Sequence, residues 1–245
     1  MASIKPASAT IFAYQVGFGD CFLLRFSYTG NVQKHVLIDL GTTGLPEAVA
    51  KNHLLRVAQD IAKQCNGKLD AVVATHRHAD HISGFATTAD GKGSGDIIRS
   101  LKPDAVIQPW TEELSLATDA LGPKGARGFA HHAAARNLAR MQAAAAQVVE
   151  MLDSHGAKFP KALAARMRFI GEDNISNVSA VKNLASMGRK RVYTFHEGPS
   201  GLDAILPGIK THVLGPPTLK QSEVIRKQRS KDPVNRTGFR GGLLA

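Results

Sequence analysis

The chain of 245 residues is 43% hydrophobic and carries a formal net charge of +11. This length and composition fit one large globular domain or two small ones, and they exclude a chain too polar to bury a core. Nowhere do about 18 apolar residues run together, and the N-terminus lacks the apolar segment of a signal peptide, so the sequence predicts neither a membrane span nor secretion. The two cysteines, Cys21 and Cys65, lie far apart and predict no disulfide framework, which favours a reducing cytoplasm.

The positive charge is concentrated in two segments. Residues 124–168 contain eight Lys/Arg against two Asp/Glu, and residues 217–245 contain seven against two. Such a concentration of charge can attract nucleic acid or another phosphate-bearing partner. The alternative is a solvated helical face followed by a basic tail, because no aromatic residues interleave with the arginines to stack bases.

The first part of the chain predicts an antiparallel sheet followed by a helix. Residues 10–16 and 21–28 are expected to form two strands joined by a glycine turn, and residues 35–40 a third strand. Residues 46–65 carry apolar side chains at helical spacing, with a proline in the first turn, and predict a helix that covers the sheet. Residues 69–74 form a short apolar run bounded by polar residues, which predicts a buried strand.

The rest of the chain predicts more strands and helices. The strands are expected over residues 105–110, 191–196 and 210–214, and the helices over residues 97–101, 127–156 and 177–187. The lone tryptophan, Trp110, either packs in the core or lines a pocket. Four scattered histidines are candidates for surface positions or for ligands without an assigned partner: His131, His132, His196 and His212.

The stretch directly after the buried strand packs three histidines and one aspartate into six positions. Its candidate metal ligands are His76, His78, Asp80 and His81. Residues two apart on an extended segment share a face, so His76 and His78 can hold one ion. A turn at Ala79 would then aim Asp80 and His81 at a second ion about 3.5–4 Å away. Such ligands suit Zn²⁺ first, with Mn²⁺ or Fe as alternatives, and the competing interpretation is an exposed histidine-rich loop that holds no ion.

This His-x-His-x-Asp-His pattern resembles the motif of the metallo-β-lactamase superfamily of metal-dependent hydrolases. Two more stretches are similar to the branch that includes the hydrolase domain of competence-type DNA uptake proteins. Residues 16–24 look like its first hairpin, and residues 36–41 look like its strand followed by Asp-x-Gly. Residues 212–217 are similar to the strand and turn after its helical insertion. The resemblance covers residues 10–110 well and residues 190–232 more weakly.

The resemblance implies an α/β fold, an αββα sandwich of two similar halves around a site for two ions. It implies that Asp39 orients a histidine ligand through hydrogen bonds, with Asp20 in a similar supporting place, although each could instead cap a turn. It also implies that Asp80 is both a ligand and the catalytic residue that orients the nucleophile. The resemblance further calls for a third histidine, a bridging aspartate and a final histidine from the second half, and no stretch of the sequence matches them. We therefore expect an incomplete sandwich whose apolar sheet face is exposed or covered by another chain.

The chain is expected to divide into four segments. Residues 1–123 would form the first half of the domain with the metal motif, and residues 124–188 a helical insertion. Residues 189–230 would supply continuation strands and a helix, and residues 231–245, which lack any periodic pattern, a disordered or truncated tail.

Three functions are consistent with these features. The first is a metal-dependent hydrolase that uses a metal-activated water on an ester, an amide or a phosphodiester. Within this class, the resemblance of the first hairpin and the basic segments together favour a phosphodiester over a lactam ring. The second is a non-catalytic, truncated remnant or regulatory fragment that binds metal weakly or pairs with a complementing chain. The third is a basic nucleic-acid-binding module without chemistry. Metal content after dialysis separates the first two, and DNA binding that survives both a chelator and His76→Ala would favour the third.

Overall fold

The structure, a computed structural model, describes residues 4–113, 178–218 and 221. Three antiparallel strands begin the fold: β1 (Ser8–Ala13), β2 (Phe22–Ser27) and β3 (Gln33–Ile38). The β2–β3 connection is a short 3-10 helix in which Gly30 adopts a φ of 75°. This is a left-handed conformation that glycine adopts without steric cost.

Three parallel strands continue the sheet from β3. They are β4 (Ala71–Val73), β5 (Ala105–Pro109) and β6 (Lys190–Thr194). Within the described part of the chain, the six strands form one sheet in the order β1-β2-β3-β4-β5-β6. Because β3 to β6 are parallel, their carboxyl ends meet at the same edge of the sheet, where ligands usually bind in α/β proteins.

Four helices lie between and after these strands. They are α1 (His53–Gln64), α2 (Ala79–Ile82), α3 (Ser94–Ser100) and α4 (Val178–Met187). Helix α1 begins later than the proline predicted, because residues 46–52 form isolated turns before it. It ends at Gln64 with Cys65 as its C-cap, after which Asn66 and Gly67 both adopt positive φ and turn the chain toward β4.

Helices α1, α3 and α4 cover one face of the sheet. Leu23, Leu37 and Val72 of the sheet lie in one apolar cluster with Ile61 of α1 and Leu184 of α4. Helix α4 is therefore part of this core, although it falls within the range assigned to a helical insertion. The proposed boundaries between segments stay predictions.

The opposite face of the sheet is partly covered by the chain itself. Val36, Ala105 and Ile107 pack there against Leu202 and Leu206, which follow β6. The expectation that this face is exposed or covered by another chain is therefore corrected in part. Residues 200–209 of the same chain form a second layer. This stretch consists mainly of turns, and its leucines Leu202 and Leu206 are buried against the sheet.

Six of the seven predicted strands are confirmed, with ends that differ by at most three residues. The seventh, over residues 210–214, is wrong because this stretch has no strand pairing. Its backbone contacts the turn after β6 at isolated points, with Glu197 N–H donating to Val213 O at 2.9 Å and His196 N–H to Pro216 O at 2.8 Å. Pro216 and Pro217 follow after Gly215 and lack the N–H donors that a strand ladder needs.

The predicted α/β architecture is confirmed by a mixed sheet with helices on one face, which is consistent with a metallo-β-lactamase-like fold. Among the described residues, no helix has the length and apolar character needed to cross a membrane. The predicted helix over residues 127–156, His131, His132 and the tail at 231–245 lie outside the described residues.

Candidate metal centre

The histidine motif lies at the carboxyl edge of the sheet, directly after β4. This strand is flanked by β3 and β5, and both Ala71 and Val72 are fully buried. The chain then leaves the sheet in an extended loop and turns into α2, which begins at Ala79. A buried central strand therefore delivers the polar side chains to the place where β3 and β5 also end, as the sequence predicts.

Two glycine turns hold the backbone of the motif. Leu40 N–H donates to His81 O at 2.8 Å, and Asp20 N–H donates to Asp80 O at 3.0 Å. A Cβ added at Gly41 would lie 2.5 Å from both Ala79 O and His81 N, and one added at Gly19 would also strike Asp80 O. The glycines thus allow the turns after β1 and β3 to pack directly on the start of α2.

The structure brings three of the four predicted ligands into one group. Ligand atoms of His76, Asp80 and His81 all lie within 4.8 Å of one another. His81 Nε2 is 3.3 Å from Asp80 Oδ2, and the rings of His76 and His81 are 3.9 Å apart between centroids. His78 is exposed and lies outside this group, with its ring edge-on to His76 at 4.6 Å. The spacing in the sequence suggested that His76 and His78 would hold one ion, and Asp80 and His81 another. The structure instead places His76 with Asp80 and His81.

Asp39 supports His81 from behind. The Asp39 carboxylate is 98% buried and accepts hydrogen bonds from Thr75 N–H at 2.8 Å and from the Thr75 hydroxyl at 2.6 Å. Its Oδ2 also lies 2.9 Å from His81 Nδ1. Because a carboxylate can only accept, Nδ1 carries the proton, which leaves Nε2 of His81 with a free lone pair on the side of Asp80. Asp20 lies farther away, with its Oδ2 3.6 Å from His81 Nδ1.

Thr75 gives His76 a similar orientation, and the sequence did not reveal this role. Its hydroxyl donates to Asp39, so the oxygen can accept from His76 Nδ1, which lies 3.2 Å away. The Nε2 atom of His76 is then the ring nitrogen available to a ligand. Burial lowers the pKa of His76, and the neighbouring His81 and His78 lower it further. His76 is therefore held in the neutral form that can donate a lone pair to a metal ion.

A second link that the sequence did not reveal ties the motif to the end of β5. Arg77 Nε donates to Glu112 Oε2, and Arg77 Nη2 donates to Thr111 O at 3.3 Å. Both partners lie in the short 3-10 helix Trp110–Glu112. Trp110 is buried, and its indole N–H donates to Pro217 O at 3.3 Å. Since it is not among the residues that line the adjoining cavity, its packing role is the one that the structure supports.

The other described histidines do not join the group. His212 is exposed and lines a cavity of about 720 Å³ that also reaches His76. His196 lies in the turn after β6, where its Nδ1 is 3.0 Å from Leu214 O. Neither position supplies a further ligand within the part of the chain that the structure describes.

The donor set fits a divalent metal ion of the zinc class. Two imidazole nitrogens and one carboxylate oxygen are the three protein ligands typical of a catalytic zinc site, which leaves one position for water. The histidine whose second nitrogen contacts a buried carboxylate is the arrangement in which metal ligands are usually held. The observation that supports the fit is the orientation of His81 by Asp39, because it presents Nε2 to Asp80 and His76 before any ion binds.

Neither the curated proteins nor the solved structures yielded a match to this chain. The family model of the metallo-beta-lactamase superfamily matches residues 14–129, a stretch that contains the glycine turns, Asp39 and the whole histidine motif.

Proposed function

We propose that this chain is a metal-dependent hydrolase of the metallo-β-lactamase superfamily, in which His76, Asp80 and His81 hold a zinc ion. The observation that carries the proposal is the convergence of these three side chains at the carboxyl edge of the sheet, with His81 oriented by buried Asp39. His78 lies close enough to His76 to contribute to a second position. The family match over residues 14–129 supports the same assignment.

A bound metal ion of this class supplies a water molecule of lowered pKa and an electrophile for the developing negative charge. The protein's residues then have separate roles. Asp80, whose side chain is about one-third exposed, can accept a hydrogen bond from the attacking water and orient it. Asp39 keeps the His81 proton on Nδ1, and Thr75 does the same for His76. The substrate is an ester, an amide or a phosphodiester, whose scissile bond gains the elements of water.

The compartment proposed for this activity is the cytoplasm. Cys21 and Cys65 are both buried and unpaired. Burial raises the pKa of the Cys65 thiol to about 12, with Asp70 adding to the shift, and it raises that of Cys21 as well. Two protonated, buried thiols suit a reducing environment.

The proposal is tested by metal content and hydrolysis measured on the same samples. The protein is loaded with Zn²⁺, dialysed, and assayed for zinc per chain and for hydrolysis of p-nitrophenyl acetate, bis(p-nitrophenyl) phosphate and a p-nitroanilide. We expect a stoichiometric amount of zinc and hydrolysis of at least one substrate, both lost in His76→Ala and in His81→Ala. His53→Ala is the matched control, because His53 lies at the start of α1 and its Nε2 contacts Gln15 O instead of the site.

Two results would count against the proposal. Zinc retained equally by the wild type and both site variants would place the ion elsewhere. Zinc bound at the site without hydrolysis of any of the three substrates would favour the metal-binding, non-catalytic alternative.

A further inference from the structure

A cavity of about 720 Å³ lies between the second face of the sheet and the segment that follows β6. This volume falls within the range of about 300–1,000 Å³ that is usual for small-molecule sites. The wall on the sheet side is apolar and consists of Leu24, Phe26, Val36, Ile38, Val73 and Ile107.

The opposite wall is part of the same chain and is fixed at several points. Leu202 and Leu206 are buried and contribute apolar side chains to it. The Tyr28 hydroxyl donates to Pro207 O at 3.0 Å, and Glu197 N–H donates to Val213 O at 2.9 Å. The space is therefore walled on both sides within one chain and is not a bare sheet face that awaits a partner.

Four of the polar residues that line the cavity lie where the parallel strands end. Thr75 and His76 follow β4, Thr111 follows β5, and Thr194 closes β6. Because the carboxyl ends of parallel strands lie at one edge, these groups mark one end of the cavity, and His76 connects that end to the candidate metal centre.

The apolar lining leads away from that end along the strands. Val73 pairs with both Ile38 and Ile107, which form the first row below His76. Leu24 pairs with Val36 in the next row, and Phe26 lies in the row beyond. At about 3.3 Å per residue, the distance from the Ile38 row to the Phe26 row is about 13 Å. The cavity therefore has the form expected for a chain-like apolar group with its reactive end at His76.

We propose that this cavity binds the acyl chain of a carboxylic ester, with the ester carbonyl at the His76 end. The inference rests on the proposed hydrolase function and names its substrate class. In the reaction, water oxygen adds to the acyl carbon and the bond from that carbon to the alkoxy oxygen breaks. The alcohol leaves with one proton, and a medium-chain carboxylate and a second proton are the other products.

The charge of the lining favours an apolar ester over a phosphodiester of nucleic acid. Among the described residues that line the cavity, the basic side chains are Lys210, His76 and His212, and Lys210 and His212 are exposed. A polyanion needs a groove lined with basic side chains, which an apolar cavity of this kind does not offer. An alkyl chain, by contrast, gains about fourfold in binding for each methylene that it buries.

The kinetic test uses the zinc-loaded protein and p-nitrophenyl esters of acetate, butyrate and octanoate. We expect kcat/KM to rise about fourfold per methylene until the chain fills the cavity. Leu24→Trp, which fills the middle row, should lower the ratio of octanoate to acetate kcat/KM by about tenfold or more. Leu214→Trp is the matched control, since Leu214 is 83% exposed and does not line the cavity, and it should leave the ratio unchanged.

A binding measurement separates this inference from the catalytic one. A fluorescent fatty acid, titrated into metal-free wild type and His76→Ala, should bind saturably to both and at least about tenfold more weakly to Leu24→Trp. Binding without ester hydrolysis would overturn the proposed function and leave the acyl site supported. Acetate hydrolysis with no dependence on chain length, equal binding by Leu24→Trp, or a dimer that excludes the probe would overturn the acyl site.

Discussion

At the scale of single residues, Asp39 connects the sheet to the metal centre. It is buried at the end of β3 and adopts a φ of 54°. Its carboxylate accepts hydrogen bonds from the N–H and the hydroxyl of Thr75, and it also contacts Nδ1 of His81. A left-handed backbone at a non-glycine residue costs free energy, so the surrounding hydrogen bonds must hold it. The position of this carboxylate decides which nitrogen of His81 is free.

Asp39→Asn is expected to weaken zinc binding by about 10–100-fold. An amide can turn its N–H₂ group toward His81, which would favour the tautomer with its lone pair on Nδ1 and its proton on Nε2. The measurement is the zinc dissociation constant by calorimetric titration. Asp70→Asn is the matched control, because Asp70 is almost equally buried but lies at the opposite end of β4 from the histidine motif. There it accepts hydrogen bonds from Lys34 Nζ and His35 N–H. A similar loss in both variants would mean that general destabilisation, not orientation of His81, lowers the affinity.

His35 gives the protein a pH-dependent stability that is independent of the metal. It lies on β3, is only 4% exposed, and its Nε2 has no hydrogen-bond partner among the residues that the structure describes. Burial lowers the pKa of His35, Asp70 opposes this shift, and Arg25 and Lys34 reinforce it. Below about pH 6.5, His35 therefore takes up a proton more readily in the unfolded chain than in the folded one.

The free energy of unfolding of the zinc-free protein should consequently fall as the pH is lowered through about 6.5, by at most about 1.4 kcal/mol per pH unit from this group. Urea denaturation from about pH 8 to pH 5 measures it. His35→Leu should flatten the slope over this window, and an unchanged slope would show that other groups, such as His76, account for it.

At the scale of secondary-structure elements, the metal loop depends on close contact between α2 and the turn after β3. Gly41 approaches the backbone of Ala79 and His81 so closely that a Cβ would lie 2.5 Å from each. In the same turn, Thr42 N–H donates a hydrogen bond to Ser83 Oγ at 2.9 Å. Helix α2 is too short to hold its position by itself, so this docking sets the directions of Asp80 and His81.

Gly41→Ala should therefore push α2 away from the turn, lower the free energy of unfolding by about 1–3 kcal/mol and weaken zinc binding. Chemical denaturation and zinc titration of the same samples measure the two effects. Gly44→Ala is a control in the same turn, since its Cβ would meet only Phe18 Cδ2 at 3.7 Å. Equal behaviour of the two variants would contradict the docking role.

The sequence predicted this level of structure well where the determinants are local. The period-two strands, the apolar spacing of α1 and the position of the histidine motif after a buried strand all follow from neighbouring residues. The contact from Arg77 to Glu112 joins residues far apart in sequence, so no local pattern could reveal it. The support of His81 by Asp39 also spans a long separation, and it was expected only from the family resemblance. The strand predicted over residues 210–214 failed because, among the described residues, this stretch pairs with no strand.

At the scale of the whole molecule, the sheet is covered on one face by helices and partly covered on the other by residues 200–209. Leu206 is 3% exposed and packs in the cluster on the second face with Ile107. This layer was not predicted, because a turn-rich loop with isolated leucines has no periodicity that indicates burial.

Leu206→Ala should lower the free energy of unfolding by about 2–5 kcal/mol, the usual cost of removing a buried leucine side chain. Leu214→Ala should have little effect, because Leu214 is 83% exposed. Urea denaturation of the two variants beside the wild type measures the difference. If the two leucines behaved alike, residues 200–209 would not be a structural layer of the folded chain.

The most direct test of the metal centre is zinc K-edge X-ray absorption spectroscopy of the zinc-loaded protein. We predict scattering from two histidine rings and at least one oxygen, with zinc to nitrogen distances of about 2.0–2.1 Å. His81→Ala should remove one imidazole contribution, and His53→Ala should change nothing. A spectrum with oxygen ligands alone, or one that His81→Ala leaves unchanged, would contradict the assignment of His76, Asp80 and His81 as the metal ligands.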